Sequence, residues 1–283
     1  MTHPALSLAQ VAGLMMIVSG AAHAVVNAVL KAGADKMSSR ALIDGFSALI
    51  VLPAAFFLPL PDHAWGWLAA TTAIHLVYLV SLIKAFEGAD MMAAYPLMRG
   101  VAPAMAAAAA VGFFHEAASP VVVAGVALVS VGVMTAALGR HLGRRTFLWS
   151  LLTGASIAAY TVVDAQGVRA APSAPSYIVW VFMIVGTAVG GLFAVWRGPT
   201  FILAARSQWK SGLFAGALSI VTYGLALWAL RLGATPRLAA LREVSVLFGV
   251  LIAIVFLKER STPARLASAA LIGAGAVVLV VSG

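Results

Sequence analysis

Tyr95-Pro96-Leu97-Met98-Arg99-Gly100-Val101-Ala102-Pro103 sets an arginine between two prolines and beside a glycine, inside an otherwise apolar run from about Met91 to Phe114. A bilayer is crossed by about 20 apolar residues, so the run is long enough to span. A guanidinium inside it costs at least about 2.5–3.5 kcal/mol on insertion scales. Two readings offset that cost. Either Arg99 faces a water-filled cavity, a partner carboxylate or a substrate, or it snorkels to the nearer interface. Eight residues into the run is roughly 12 Å at 1.5 Å per residue, which stretches a snorkelling side chain and favours the first reading.

A second copy of the pattern lies downstream. Arg242 sits in the run 236–257, and its landmarks repeat those of Arg99. Arg99 to Glu116 and Arg242 to Glu259 are both 17 residues, and Arg99 to Pro120 and Arg242 to Pro263 are both 21. Nearer the starts of the halves, Ala21-Ala22-His23-Ala24-Val25-Val26-Asn27-Ala28 aligns with Ala158-Ala159-Tyr160-Thr161-Val162-Val163-Asp164-Ala165. Tyr78 and Gly88-Ala89 align with Tyr223 and Gly233-Ala234. Weak alignment is expected between any Ala/Val-rich helices, but here the polar positions align as well. We read an internal repeat.

With 63% hydrophobic and 10% charged residues and a mean hydropathy of +1.03, the chain departs from a soluble domain, which carries about 25% charged residues. The net charge of +9 comes from basic residues placed singly in short connections, a pattern of topology determinants and not of a nucleic-acid patch. The absence of cysteine removes disulfides, Cys-ligated zinc and thiol catalysis. Met1-Thr2-His3-Pro4 lacks a signal-peptide basic region and the first apolar run continues to Leu30, so the first segment is expected to be a retained helix.

Hydropathy predicts ten helices, at about 8–30, 39–59, 64–87, 91–114, 120–139, 146–168, 176–197, 209–231, 236–257 and 263–281. The fold expected is therefore an all-α membrane protein of two five-helix repeats, residues 1–142 and 143–283. An odd number of spans per repeat inverts the second copy, a hallmark of secondary transporters with a midplane site. Of the 18 basic residues, 13 fall in odd-numbered connections, three (Arg169, Arg231 and Arg237) in even-numbered ones, and Arg99 and Arg242 inside spans. By the positive-inside rule the odd connections are cytoplasmic and both termini outside.

The stretch Ala94 to Pro103, the pairs His115-Glu116 and Lys258-Glu259 closing helices four and nine, and the glycines Gly125, Gly132, Gly273 and Gly275 together resemble the drug/metabolite transporter superfamily, specifically EamA-type proteins. The resemblance covers essentially the whole chain and extends to YddG-like amino-acid exporters. It implies a multi-pass protein of the bacterial inner membrane that exports neutral or aromatic amino acids by alternating access. It also implies cytoplasmic termini, opposite to the charge tally.

Polar residues recur at helical-face spacing. His23 and Asn27 share a face of the first helix, and Tyr160 and Asp164 are their repeat mates in the sixth. His75 and Tyr78 share a face of the third, and Tyr95 and Arg99 a face of the fourth. Such faces line a cavity or pack as interhelical hydrogen bonds. Adding Tyr223, Trp228, Arg242 and Glu243 gives the candidate substrate-binding set. Arg99 or Arg242 would attract a carboxylate, Asp164 or Glu243 an ammonium group, and Tyr78, Tyr95, Tyr160 and Trp228 a side chain. Asp164 alternatively reads as a solvated acid near a helix end. Glu243, about 100° around the helix from Arg242, needs a different partner or a proton.

The expected partners are a small-molecule substrate and the lipid bilayer, without nucleic acid, and a monomer is the default. No cofactor or metal is expected. No HExxH, GxSxG, paired-Asp metal motif or P-loop occurs, which argues against an intramembrane enzyme and against ATP as the energy source. The remaining alternatives are a proton-coupled drug or cation exporter and a non-transporting scaffold.

Overall fold

The computed structural model describes residues 6–32, 36–87, 91–136, 142–255 and 262–282. Gly88-Ala89, Arg140 and Lys258-Glu259-Arg260, used above as repeat or topology landmarks, lie outside them. The described residues form eleven α-helices and no strand: α1 Leu8–Ala32, α2 Lys36–Val51, α3 Trp65–Glu87, α4 Met91–Phe114, α5 Pro120–Thr135, α6 Arg144–Ala170, α7 Ala174–Arg197, α8 Pro199–Leu232, α9 Thr235–Leu241, α10 Val244–Val255 and α11 Pro263–Val281. Eight of these regions are long and apolar enough to cross a membrane.

Helix starts follow local chemistry. Ser119, Ser173 and Thr262 each accept a hydrogen bond from the backbone N–H three residues on, and each stands before a helix with proline in its first turn. The side chain satisfies an orphan donor while the proline ring presets φ.

Three boundaries differ from the hydropathy reading. The second segment stops being α-helical at Val51, because Pro53 opens a 3₁₀ turn over Leu52–Phe56. The eighth begins at Pro199 and not near 209. Gly198, at φ +53°, ends α7 in the left-handed region and Pro199 restarts the helix at once, so Arg206 and Lys210 belong to the helix and not to a loop. The ninth segment is two helices, α9 and α10, meeting at Arg242-Glu243. By contrast α4 runs unbroken through both Pro96 and Pro103, as membrane helices permit.

Small residues set the close crossings. A Cβ on Gly132 would lie 2.9 Å from the Ile272 backbone nitrogen, and one on Gly275 2.9 Å from the Gly125 carbonyl, so α5 and α11 touch backbone to backbone. Gly273 faces open space and takes no part. Gly20 brings α1 against the α9–α10 junction, where its Cβ would meet the Ser245 nitrogen at 3.1 Å and the Arg242 carbonyl at 3.4 Å. The preceding residue, Ser19, exchanges side-chain to backbone bonds with Thr222, between α1 and α8.

The three arginines counted in even-numbered connections act as helix clasps. Arg231 donates to the Val168 and Ala171 carbonyls at the end of α6. Arg237 is 5% exposed and donates to Leu279 at 2.6 Å and to Ala9 at 3.1 Å, tying the two ends of the described chain together. Arg169 donates to Leu230 at 3.0 Å and Gly233 at 2.8 Å at the end of α8. For Arg169 and Arg231 the acceptors are carbonyls at helix C-termini, where orphan acceptors and the helix dipole favour a cation.

Candidate functional site

The junction of α9 and α10 is the centre of the polar interior. Glu243, Ser245 and Val246 each donate their backbone N–H to the carbonyl three residues back. This stretch of tight winding inside a membrane-length apolar run is the kind of irregularity that marks functional hinges. It turns two adjacent charges into the protein: Arg242 is 9% and Glu243 3% exposed.

Arg99, 4% exposed on α4, meets Glu243 across the interface. Its Nε lies 3.0 Å from Oε2 of Glu243, although neither atom has hydrogen-bond geometry, so the contact is ionic and out of line. Its Nη2 donates to Ser245 Oγ at 3.1 Å. Arg99 is thus neutralised inside the protein.

Arg242 is differently placed. Its guanidinium carbon lies 5.1 Å from the Tyr223 ring centroid, a cation–π contact. Among the described residues no carboxylate is within ion-pair distance of it, and its buried Nε has no hydrogen-bond acceptor. Tyr223 donates its hydroxyl to Oδ2 of Asp164, and Tyr177 donates to Oδ1 at 2.7 Å. Asp164 is fully buried, so although it lies six residues before the end of α6 it is not a solvated acid. Arg99, Arg242 and Glu243, with Pro103, Ile157 and Thr161, line a cavity with room for about one water molecule.

Aromatic rings form the adjoining wall. His75 stacks on Tyr160 at 4.3 Å, Tyr78 meets Tyr160 edge-on at 5.8 Å, and Phe182 meets Tyr223 edge-on at 6.1 Å. Nδ1 of His75 is 2.8 Å from the Thr71 carbonyl, which fixes the ring. Asn27 donates to the Tyr95 hydroxyl at 3.5 Å. His23 lies one turn beyond Gly20, within electrostatic reach of Arg99 and Arg242. Trp228 is not brought to the group: it is 43% exposed on the outer face of α8.

Two further clusters were not singled out as functional in the sequence. Arg40 Nε pairs with Asp44 Oδ2 at 2.7 Å on α2, within electrostatic reach of Tyr78, Tyr160 and His75. Arg40 is one of the 13 basic residues of the odd-numbered connections, yet buried Ala41, Leu42 and Ile43 follow it, and its i, i+4 acid is the available signal. The second cluster closes the end where α4, α6 and α8 finish. Glu116 accepts from Arg169 at 2.6 Å and from the Thr235 backbone and hydroxyl at 2.7 and 2.8 Å. Burial pushes the Glu116 carboxyl up, but the bonds from Arg169 and Thr235 outweigh it and hold the group below its usual range.

The second half of the chain, including the α9–α10 junction, matches the EamA-like transporter family over residues 144–281. These residues are an EamA-like transporter domain. That match and the eight apolar helices long enough to cross a membrane support a multi-pass membrane protein. No curated protein matches it. A solved structure titled only "Crystal structure of protein" superposes with a TM-score of 0.67 at 17% identity, covering 95% of each chain, a likeness of fold.

Proposed function

We propose that this EamA-type chain is a secondary transporter that moves small metabolites, with neutral or aromatic amino acids the favoured class, out across the bacterial inner membrane by alternating access. The observation that carries the reading is the charged, aromatic-walled chamber at a divided helix, buried among apolar helices. Charge at that depth is expensive unless it lines a pathway or is paired, and discontinuous helices build midplane sites in transporters. Room for about one water means that helices must part to admit cargo.

The helix pairing supports two inverted repeats, 1–142 and 143–283. Exchanging α1–α5 for α6, α7, α8, α9–α10 and α11 turns the α1–α8 contact into α6–α3 and the α4–α6 contact into α10–α1, both present, while α2–α7 and α5–α11 map onto themselves. For orientation, we take the charge tally: Arg169, Arg231 and Arg237 serve as clasps, so even-side cations have a structural reason to be there. Gly143→Cys, at an exposed helix start, should then resist an impermeant thiol reagent in intact cells.

Uptake by proteoliposomes of a panel of labelled amino acids tests the function. Movement of neutral or aromatic members above protein-free vesicles supports it, and no movement of any member removes it. Asp164 within a ring of aromatic side chains favours one second reading, a proton-coupled exporter of organic cations. Movement of lipophilic cations in place of amino acids would select that reading.

A further inference from the structure

Three arginines and three carboxylates lie in or beside the chamber, but they do not all pair. Arg99 is matched by Glu243 and Arg40 by Asp44. Asp164 accepts two tyrosine hydroxyls. Arg242 alone of the chamber arginines has neither a carboxylate at ion-pair distance nor a hydrogen-bond acceptor among the described residues, although it is 9% exposed and its Nε is buried. The face of Tyr223 compensates it only in part, since a cation–π contact is weaker than a charge-assisted pair. Leaving a cation so placed is costly unless something else supplies the counter-charge.

We infer that Arg242 is the anion receptor of the chamber and that the cargo supplies its contacting partner as a carboxylate, while Arg99 is held for structure. The inference rests on the transport reading above and deepens it. A single unmatched guanidinium calls for a single negative charge, which a carboxylate carries and a phosphate dianion exceeds. The planar fork of the guanidinium accepts a carboxylate through two parallel hydrogen bonds. The position adds to this: Arg242 precedes the first turn of α10, whose N-terminal end carries partial positive charge. Asp164 lies behind the same Tyr223 ring and two of its lone-pair positions are unused by the tyrosines, so a zwitterion would find both its ends matched.

The test compares Arg242→Gln, Arg242→Lys and Arg99→Gln in proteoliposomes. The probes are L-phenylalanine, phenylpropionate, which lacks the ammonium group, and phenethylamine, which lacks the carboxylate. Arg242→Gln should lose roughly 30-fold or more in affinity for both carboxylates, as expected when one partner of a desolvated charge pair is removed. Phenethylamine should be unaffected, and Arg242→Lys should fall between. If phenylpropionate matches L-phenylalanine the cargo need only be an acid; if it binds worse, the zwitterion is selected. Thermal unfolding in detergent gives a readout that needs no cargo. Removing an unmatched charge should leave Arg242→Gln as stable as the parent or more so, whereas Arg99→Gln should unfold earlier. Undiminished carboxylate affinity in Arg242→Gln, or a fall in its melting temperature matching that of Arg99→Gln, overturns the assignment while leaving transport standing. A parent protein that moves none of the amino-acid panel overturns the transport reading and the inference together.

Discussion

Arg99 and Arg242 stand 143 residues apart at matching places in the two halves of the sequence, yet their surroundings have diverged. Arg99 belongs to an intact helix and spends its charge on Glu243 and its donor on Ser245. Arg242 belongs to a junction between two short helices and faces a tyrosine ring. The partner that neutralises Arg99 comes from the residue next to Arg242, in the other half; the first half has Gly100 at the corresponding place. The acid beside Arg242 thus separates the two arginines: Arg99 is paired with it, and Arg242 has no carboxylate at ion-pair distance among the described residues.

The sharpest way to break this contrast is Arg99→Gln. It leaves Glu243 buried without its cation, and a loss of about 3–5 kcal/mol is expected, read as a lower detergent unfolding temperature. Adding Glu243→Gln should recover much of that loss, because both charges are then gone. If the double variant is no better than the single one, the ion pair is not what holds α4 to the junction.

Next in size is Tyr177→Phe, which removes one of the two hydroxyls on Asp164 without touching the Arg242–Tyr223 stack. A hydrogen bond to a charged group is worth about 1.5–3 kcal/mol, so stability should fall by that order. A smaller effect is expected from Gly20→Ala. The new methyl meets the junction backbone at 3.1 Å, and overpacking costs about 1 kcal/mol or more. The methyl presses first on Ser245, which Arg99 contacts, and then on the Arg242 carbonyl, so both carboxylate affinity and the Arg99–Glu243 coupling, measured by the double variant, should shift.

The smallest effect concerns the anchor of α9. Glu116→Gln weakens the bonds to Arg169 and Thr235 by about 1 kcal/mol. The carboxyl is held below its ordinary value in the folded protein. Its contribution is therefore complete above the unfolded value of about 4.3 and disappears as pH falls through the lowered folded value. The parent should lose this increment on acidification and Glu116→Gln should not, by unfolding temperature against pH.

The sequence made the helices legible because span length and apolarity need no tertiary information. It also brought His75, Tyr78, Tyr160 and Asp164 forward, since residues three and four apart share a helix face whatever packs against it, and Tyr223 as the position aligned with Tyr78. Trp228 misled because its distance along the chain from the helix end says nothing of which way it points; 43% exposed, it lies on the outer face. The division of the ninth segment was not legible: Leu238 to Val246 contains no proline or glycine, and the junction depends on contacts such as Gly20 on α1, some 220 residues earlier in the chain. Arg40 and Asp44 were hidden for the opposite reason, a charge pair close enough to a connection to pass for part of it.

The Arg237 clasp bears on how the molecule is made. Its guanidinium takes the carbonyl of Ala9 from α1 and that of Leu279 from α11, so one buried cation needs acceptors that lie 270 residues apart in the sequence, and the later one is made after Arg237 itself. Until α11 inserts, the first and last helices have no such tie, and a nascent protein short of its final turns would hold Arg237 with its needs unmet.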